Sequence, residues 1–341
     1  DIDHIVGIVY QKDFHNHIYH TNKPLSSIIR PALFVTENTK VGPLLKKMQA
    51  KKSHIAIIID EFGGTDGIIT MEDILEEARG LAESGVKELN LVAQDTTKYG
   101  QDLYGEYSLD KLLTELCKID GFHWIRILYG YPDRVTDSLE VMAREPKVVK
   151  YIDLPLQHAN EKVLREMNRN GSFESLTALM QRIRDKVPGV VLRTTFIAGF
   201  PGETEEEFAQ LVEFVRAVRF ERMGCFAYST EEDTPAGERE DQIDEEVRRH
   251  RADLVMEEQM GIAFELGKSL VGKKLEVLVE GYDDEQQMYV GRSYMDAPDI
   301  DTKTSFVSEY EDVKPGDFVW VEILDSVGYD LIGRQTEPDE K

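Results

Sequence analysis

The spacing of apolar residues changes near Met71 and divides the chain into two patterns. Before it, the segment Gly7–Phe14 recurs in altered form at Gly67–Ile74. Each copy spells a short strand that runs into the start of a helix, which predicts an internal repeat. From Met71 onward, amphipathic helices and apolar strands follow each other regularly, which predicts βα units that form a parallel sheet.

The second part contains five predicted parallel strands, followed by a group of shorter strands near the C-terminus. The parallel strands are Lys87–Ala93, His123–Leu128, Lys150–Leu154, Val190–Ala198 and Arg222–Tyr228. The helices between and after them are Ser108–Cys117, Thr136–Ala143, more than one helix within Asn160–Asp185, Thr204–Val218 and Asp244–Leu266. Four shorter strands, punctuated by Gly and Asp, are Lys274–Glu280, Met288–Arg292, Phe318–Ile323 and Asp330–Arg334. They predict a small antiparallel β-barrel.

Charge and cysteine usage narrow the classes of partner and compartment. The chain carries 40 basic and 65 acidic residues, a formal net charge of −25, which disfavours nucleic acid and favours a basic partner. The two cysteines, Cys117 and Cys225, suggest no disulfide framework and therefore a reducing cytoplasm. The apolar run Ile55–Ile59 is too short to cross a bilayer, so we expect a soluble protein. Asp1 directly precedes an apolar stretch, so we expect the first element to continue upstream.

Polar residues follow the ends of the predicted parallel strands. Gln94 and Thr96 follow the first strand, Gln157 the third, and Gly199 to Glu203 the fourth. In a parallel αβ barrel the carboxyl ends of the strands form a common mouth where ligands bind. The same residues also suit caps and turns, since Thr204 with Glu207 has the pattern of a capping box. The residues alone leave both interpretations open.

Five ordered sequence blocks resemble one enzyme family, the radical S-adenosylmethionine methylthiotransferases of the ribosomal-protein type. The blocks are Glu88–Gly100, Leu128–Pro132, Asp153–Asn160, Arg193–Thr204 and Tyr289–Pro298. This branch methylthiolates the β-carbon of an aspartate in small-subunit ribosomal protein 12, whereas sister enzymes act on transfer RNA adenosine. The resemblance implies a radical-SAM-type parallel (β/α) barrel at residues 77–268, truncated because its first strand is missing. Residues 269–341 would form a TRAM-like, OB-like antiparallel β-barrel.

The resemblance implies two cofactors, S-adenosylmethionine and four-iron-four-sulfur clusters. Its S-adenosylmethionine contacts fall on Gln94 and Thr96 at the amino-acid end, Gln157 and Asn160 near the ribose, and Ile197, Gly199 and Glu203 along the adenine. For Ile197 the alternative is a core residue of an apolar central strand. The family holds its cluster with a CxxxCxxC loop, which this chain lacks. Cys117 and Cys225 are predicted to be buried structural thiols, so we expect no cluster and no catalysis in this chain.

Residues 1–77 resemble the CBS domains of the hemolysin-like, CorC-type transporter-associated family, most densely at Ala56–Glu77. Residues 1–76 would hold the tail of a first repeat and one whole second repeat, and thus a partial CBS module within a chain of the α/β class. Thr70 and Asp73 would be its adenylate-binding residues. Asp13, His15, His17 and His20 suit a zinc or nickel site as well as a solvated linker.

Both resemblances contain the string Met71–Glu77, so recombination or erroneous joining of two genes at this string would not change the sequence there. We therefore hypothesise a chimera, against a genuine fusion whose CBS strands replace the lost barrel strand. Two non-enzymatic alternatives are an adenylate-binding regulatory module of a transport system and a binder of a basic ribosomal protein. Ser269–Gln335 carries 6 basic and 15 acidic residues, a net charge of −9, which favours the basic protein over RNA. A merely solvated acidic surface is the other interpretation.

Overall fold

The computed structural model describes residues 7–9, 24–30, 32–36, 56–59, 65–69, 71–93, 95–101, 106–231, 234–310 and 313–338. The chain forms two compact units, one of residues 1–86 with 98–121 and the other of residues 87–97 with 122–341. Within these ranges, no helix combines the length and the apolar character that a membrane span requires.

Among its described residues, the first unit contains a small mixed sheet, two α-helices and a short 3-10 helix at Leu25–Ile28. Strands β1 (Leu33–Thr36) and β2 (Ala56–Ile59) pair in parallel, and β2 pairs antiparallel with β3 (Thr65–Ile69). Helix α1 (Met71–Glu83) follows directly. Helix α2 (Leu109–Cys117) belongs to the same unit.

Helix α2 buries its leucine stripe, which consists of Leu109, Leu112, Leu113 and Leu116. Cys117 is its last residue and is only half-buried, so the prediction of a buried thiol is wrong in degree. The reason is its position: the stripe ends one residue earlier, and the helix ends with Cys117. This cysteine therefore borders the apolar face without being enclosed by it.

The second unit begins with the five predicted parallel strands, all of which are present. They are β4 (Glu88–Leu91), β5 (Trp124–Ile127), β6 (Tyr151–Asp153), β7 (Val191–Ala198) and β8 (Arg222–Ala227). Strands that are consecutive in sequence lie side by side: β4 pairs with β5, β6 with β7, and β7 with β8, all in parallel. A parallel bridge between Ile125 of β5 and Val148 connects β5 to the chain just before β6. The helices are α3 (Thr136–Arg144), α4 (Glu161–Glu166), α5 (Phe173–Lys186), α6 (Glu205–Val218) and α7 (Glu245–Leu270). The α/β fold class is thereby confirmed.

Buried and half-buried side chains alternate along strand β7, so its two faces have different surroundings. Phe196 is fully buried and packs edge-on against Phe214 of α6 and against Phe220, with ring centroids 6.1 and 5.8 Å apart. Thr195 and Ile197, one residue away on either side, are half-buried. Because successive side chains point to opposite faces of a strand, Ile197 lies away from α6. It is therefore not part of a strand buried on both faces.

The C-terminal strands close into a five-stranded barrel in the order β10-β11-β13-β12-β9. They are β9 (Lys274–Asp283), β10 (Met288–Ser293), β11 (Thr304–Val307), β12 (Phe318–Val327) and β13 (Asp330–Thr336). Four pairings are antiparallel, as predicted, while β11 and β13 pair in parallel. Strand β11 was not predicted because only Thr304 and Phe306 face the core, too few for a visible alternation.

Charged side chains join this C-terminal barrel to the N-terminal ends of the parallel strands. Glu88, the first residue of β4, accepts hydrogen bonds from Arg126 and Arg292, each at 2.7 Å. Arg222, the first residue of β8, donates to Asp296 at 2.5 Å. These side chains are almost completely buried, so removing one partner would leave an uncompensated charge. The C-terminal barrel is thus fixed at the edge opposite the predicted ligand mouth.

Candidate functional site

Thr96 connects the loops that follow β4 and β5. It is buried, its N–H donates to the Tyr129 carbonyl at 3.0 Å, and its hydroxyl donates to the Leu128 carbonyl at 3.0 Å. Tyr129 adopts a left-handed conformation with φ +58°, and its N–H donates to Asp153 Oδ2 at 3.1 Å. Thr96 therefore shapes this part of the mouth through its backbone contacts. Gln94 lies outside the described residues.

Gln157 extends the sheet beyond the end of β6. Its N–H donates to the Thr195 carbonyl and its own carbonyl accepts from the Ile197 N–H, both at 2.8 Å. Its backbone is left-handed, with φ +72°. The side-chain Oε1 is buried and has no hydrogen-bond partner among the described residues. A buried acceptor without a donor is costly, so this atom marks a place where a ligand donor or a water fits.

The segment from Gly199 to Glu203 forms a tight turn at the carboxyl end of β7. Gly199 has φ +77°, and a Cβ at this position would lie 2.4 Å from Arg248 Cγ. Gly202 has φ +75°, and a Cβ there would lie 2.4 Å from Asp241 Oδ2. Both positions therefore favour glycine for their conformation, and Gly199 also requires it for space, because the new Cβ would lie 3.0 Å from the backbone Cα of Arg248.

A buried ionic network holds this turn from behind. The Glu203 carboxylate accepts the Gly199 N–H at 3.0 Å and Arg251 Nη1 at 2.7 Å. Nε2 of the fully buried His158 lies 3.3 Å from Glu203 Oε2. Because Nδ1 of His158 accepts the Asn160 N–H at 2.9 Å, its proton belongs on Nε2, which faces the carboxylate. Glu203 thus acts as the anchor of the turn.

Asn160 caps helix α4 and has no side-chain group left over. Its Oδ1 accepts the N–H groups of Lys162 and Val163 at 2.9 and 3.1 Å. Its Nδ2 donates to Gln210 Oε1 at 2.7 Å. The predicted capping box of Thr204 with Glu207 is likewise present at the start of α6. At these positions the structural interpretation of the polar residues accounts for every contact.

Ile197 shares its face of the sheet with Phe226 of β8. The two residues are direct partners in the parallel register, so their side chains lie on the same side. Phe226 is 64% exposed, which is unusual for a phenylalanine in a strand, and Ile197 is half-buried. Together they give the mouth an apolar surface beside Gln157 and Gly199. This is the environment that a purine ring requires.

The structure therefore brings Gln157, Ile197 and Gly199 together at one place, with Thr96 on the same edge and Glu203 behind the turn. His158 and Arg251 had no role predicted from the sequence. For His158 the sequence contained a possible indication, because it lies within the block Asp153–Asn160 that resembles the methylthiotransferases. Arg251 carried none, since it lies within a highly charged helix and its burial arises only from tertiary packing.

The remaining candidates are only partly described. Thr70 and the possible metal ligands Asp13, His15, His17 and His20 lie outside the described residues, as does the side chain of Asp73. In the ranges that are described, no group of three His, Cys, Asp or Glu side chains is placed to hold a metal ion. Cys225, like Cys117, is only half-buried, which corrects the prediction of a buried thiol, and desolvation raises the pKa of its thiol to about 12.

Two protein families match separate parts of the sequence. Residues 49–215 match the Radical SAM superfamily, and residues 271–335 match the TRAM domain. The ribosomal protein uS12 methylthiotransferase RimO of Desulfitobacterium hafniense is 51% identical over 265 residues, which cover 77% of this chain and 59% of that protein. Its counterpart in Lachnoclostridium phytofermentans is 48% identical over 277 residues, covering 81% of this chain and 63% of that protein. The chain thus spans about three fifths of the length of these relatives.

Solved structures resemble separate segments. The CBS domain of a bacterial CNNM/CorC family Mg²⁺ transporter is 42% identical over 23% of this chain and 48% of its own, with a TM-score of 0.21. Coproporphyrinogen III oxidase from Escherichia coli, a radical SAM enzyme, is 18% identical over 57% of this chain and 46% of its own, with a TM-score of 0.42. The sequence matches confirm the predicted resemblance: over most of its length the chain is similar to the ribosomal protein uS12 methylthiotransferases, and it matches the Radical SAM and TRAM families.

Proposed function

We propose that the second unit derives from an aspartate methylthiotransferase of ribosomal protein uS12 and retains S-adenosylmethionine binding without catalysis. The observation that carries the binding proposal is the orphaned Oε1 of Gln157 beside the Gly199 turn. A ribose hydroxyl or an amine of the ligand would supply the missing donor. Ile197 and the exposed Phe226 offer apolar area for the adenine.

The residues of this chain do not fit the iron-sulfur cluster. In this class of enzyme a four-iron cluster with three thiolate ligands supplies the electron that cleaves S-adenosylmethionine. The chain has two cysteines, which lie in different units, and the raised pKa of Cys225 disfavours its thiolate. Two separated thiols cannot provide three clustered ligands. Accordingly, no reductive step is assigned to this chain.

The partner proposed for the C-terminal barrel is the basic ribosomal protein uS12. Acidic residues outnumber basic ones by 15 to 6 between Ser269 and Gln335, so this barrel attracts a cationic protein surface and repels RNA. Binding should weaken steeply with salt, because exposed charges are screened over about 10 Å at 0.1 M salt. Binding of uS12 that is insensitive to salt would contradict this assignment.

A titration of the chain with S-adenosylmethionine by isothermal calorimetry tests the cofactor site. Gln157→Ala should raise Kd about tenfold, the effect of losing one buried hydrogen bond. Gln181→Ala is the matched control, since Gln181 is an exposed glutamine on α5 that bonds only Asp185. Equal Kd values for the two variants would refute the role of Gln157. Under anaerobic conditions with iron, sulfide and a reductant, 5′-deoxyadenosine should not form, and its formation would refute the absence of catalysis.

The segment before residue 71 has a separate proposed origin, since its CBS resemblance covers only part of a tandem. We attribute it to a chimeric join within Met71–Glu77, the string that both resemblances contain. Single-molecule sequencing of the source DNA through codons 60 to 90 tests this. If no read carries both halves, the chimera stands. Reads that span the junction would establish a genuine fusion and favour the adenylate-binding alternative, in which Thr70 and Asp73 are the ligand residues.

A further inference from the structure

A cleft of about 500 Å³ lies between the end of α3, the chain entering β6 and strands β9 and β12 of the C-terminal barrel. It is separate from the ligand mouth, because Trp124, one of its lining residues, begins β5 at the opposite edge of the sheet. The volume is within the range of small-molecule sites in proteins, about 300–1,000 Å³. The cleft is therefore large enough for one nucleotide-sized ligand.

Both tryptophans of the chain, Trp124 and Trp320, line this cleft. Trp320 is not required for the core of the C-terminal barrel, since the buried Val319 and Val321 on either side of it fill that core. The Trp320 side chain lies on the outer face of β12, where it is half-buried and lines the cleft. Trp124 packs edge-on against Phe318, with ring centroids 4.7 Å apart. Trp124 is only 4% exposed and belongs to the core, so the half-buried Trp320 is the indole on which a planar heterocycle can stack.

The cleft is locally cationic in a chain whose net charge is −25. Three basic residues line it, Arg144, Lys150 and Lys274, against the carboxylates of Glu145 and Glu276. Both carboxylates already have partners: Glu145 accepts from Arg144 at 2.9 Å, and Glu276 lies 2.9 Å from His123 Nε2. Lys150 donates to the Pro188 carbonyl at 3.0 Å, which leaves its charge unneutralised. An anionic group beside the aromatic surface would complete this arrangement.

We infer that this cleft binds a mononucleotide, with the base on Trp320 and the phosphate at Lys150. A single nucleotide is favoured over an RNA strand, because the strongly negative net charge repels a polyanion while the cationic cleft accepts one phosphate. This inference is independent of the proposed function, since the cleft shares no residue with the S-adenosylmethionine site.

Intrinsic fluorescence tests the assignment directly, because both tryptophans are at the cleft and none is at the mouth or in residues 1–86. Titration of the whole chain with adenosine 5′-monophosphate should quench the emission saturably. Adenosine, which lacks the phosphate, should bind at least about tenfold more weakly. Lys150→Gln should raise Kd for the monophosphate about tenfold. Lys268→Gln, a lysine of α7 that does not line the cleft, should leave Kd unchanged.

Four results would overturn the inference. One is the absence of saturable quenching at millimolar monophosphate while the circular dichroism spectrum shows a folded chain. Another is equal affinity for adenosine and its monophosphate, which would remove the phosphate from the site. The third is an oligoadenylate that binds far more tightly than the monophosphate and with a steep salt dependence, which would assign the cleft to RNA strands. Trp320→Phe should remove most of the quenching, and unchanged quenching would equally refute the stacking geometry.

Discussion

Replacing Arg251 by methionine should destabilise the second unit severely, because it removes the main positive charge next to a buried carboxylate. Arg251 is 5% exposed and donates to both the side chain and the carbonyl of Glu203, at 2.7 and 3.0 Å. Breaking one side of such a buried pair costs about 3–5 kcal/mol. For a unit of this size that corresponds to a fall in Tm of about 6–20 °C. Differential scanning calorimetry of the whole chain measures it.

The matched control lies on the same helix. Arg249→Met removes an exposed pair with Glu245, both side chains being about two thirds exposed, and should change stability by less than about 0.5 kcal/mol. The double variant Glu203→Gln, Arg251→Met should be more stable than Arg251→Met alone, because it leaves no buried charge uncompensated. The reasoning is refuted if Arg251→Met and Arg249→Met cost the same, or if the double variant recovers nothing.

Three further predictions concern single groups. Gly199→Ala should lower the free energy of unfolding by about 1–3 kcal/mol, since φ is +77° and the new Cβ would meet Arg248. Gly261→Ala, in open space on α7, should raise it by about 0.5–1 kcal/mol, and thermal denaturation that shows both variants shifted in the same direction would contradict the geometry. Cys225, with its pKa raised from 9.0 to about 12, should react with iodoacetamide about a thousandfold more slowly than an ordinary thiol, as peptide mass mapping of native and urea-unfolded chain would show. Burial raises the pKa of Asp153 above 3.8 despite Arg193, so the folded state binds this proton more tightly than the unfolded state does. The free energy of unfolding should therefore fall as the pH rises from about 3.8 through the pKa of the folded state. Urea titrations at several pH values should show this fall for the parent chain and not for Asp153→Asn.

Local patterns predicted the elements of the second unit well, because each strand and helix carries its own periodicity. The capping box at Thr204 is an example, since both of its partners lie within four residues of each other. Strand β11 was missed because only Thr304 and Phe306 mark its inner face. Its parallel pairing with β13 has no local signature at all.

The candidate site was predicted less completely, because its geometry depends on residues far apart in sequence. Gln157, Ile197 and Gly199 were found from the strand ends and do lie together. The partner of Glu203 was not found, since Arg251 stands 48 residues later on a helix that looks like a solvated charged surface. The half-exposed state of Ile197 was also missed, because an apolar strand residue gives no indication of which face is covered.

The docking of the C-terminal barrel at the N-terminal ends of the strands sets a distance requirement for any partner bound there. Strand β7 has eight residues, so the two edges of the sheet are separated by about 26 Å at roughly 3.3 Å per residue. A partner held by the acidic barrel must therefore extend about eight residues of chain along the outside of the sheet to place a side chain at Gln157 and Gly199. A protein with a long protruding loop meets this requirement, and a compact domain without one does not.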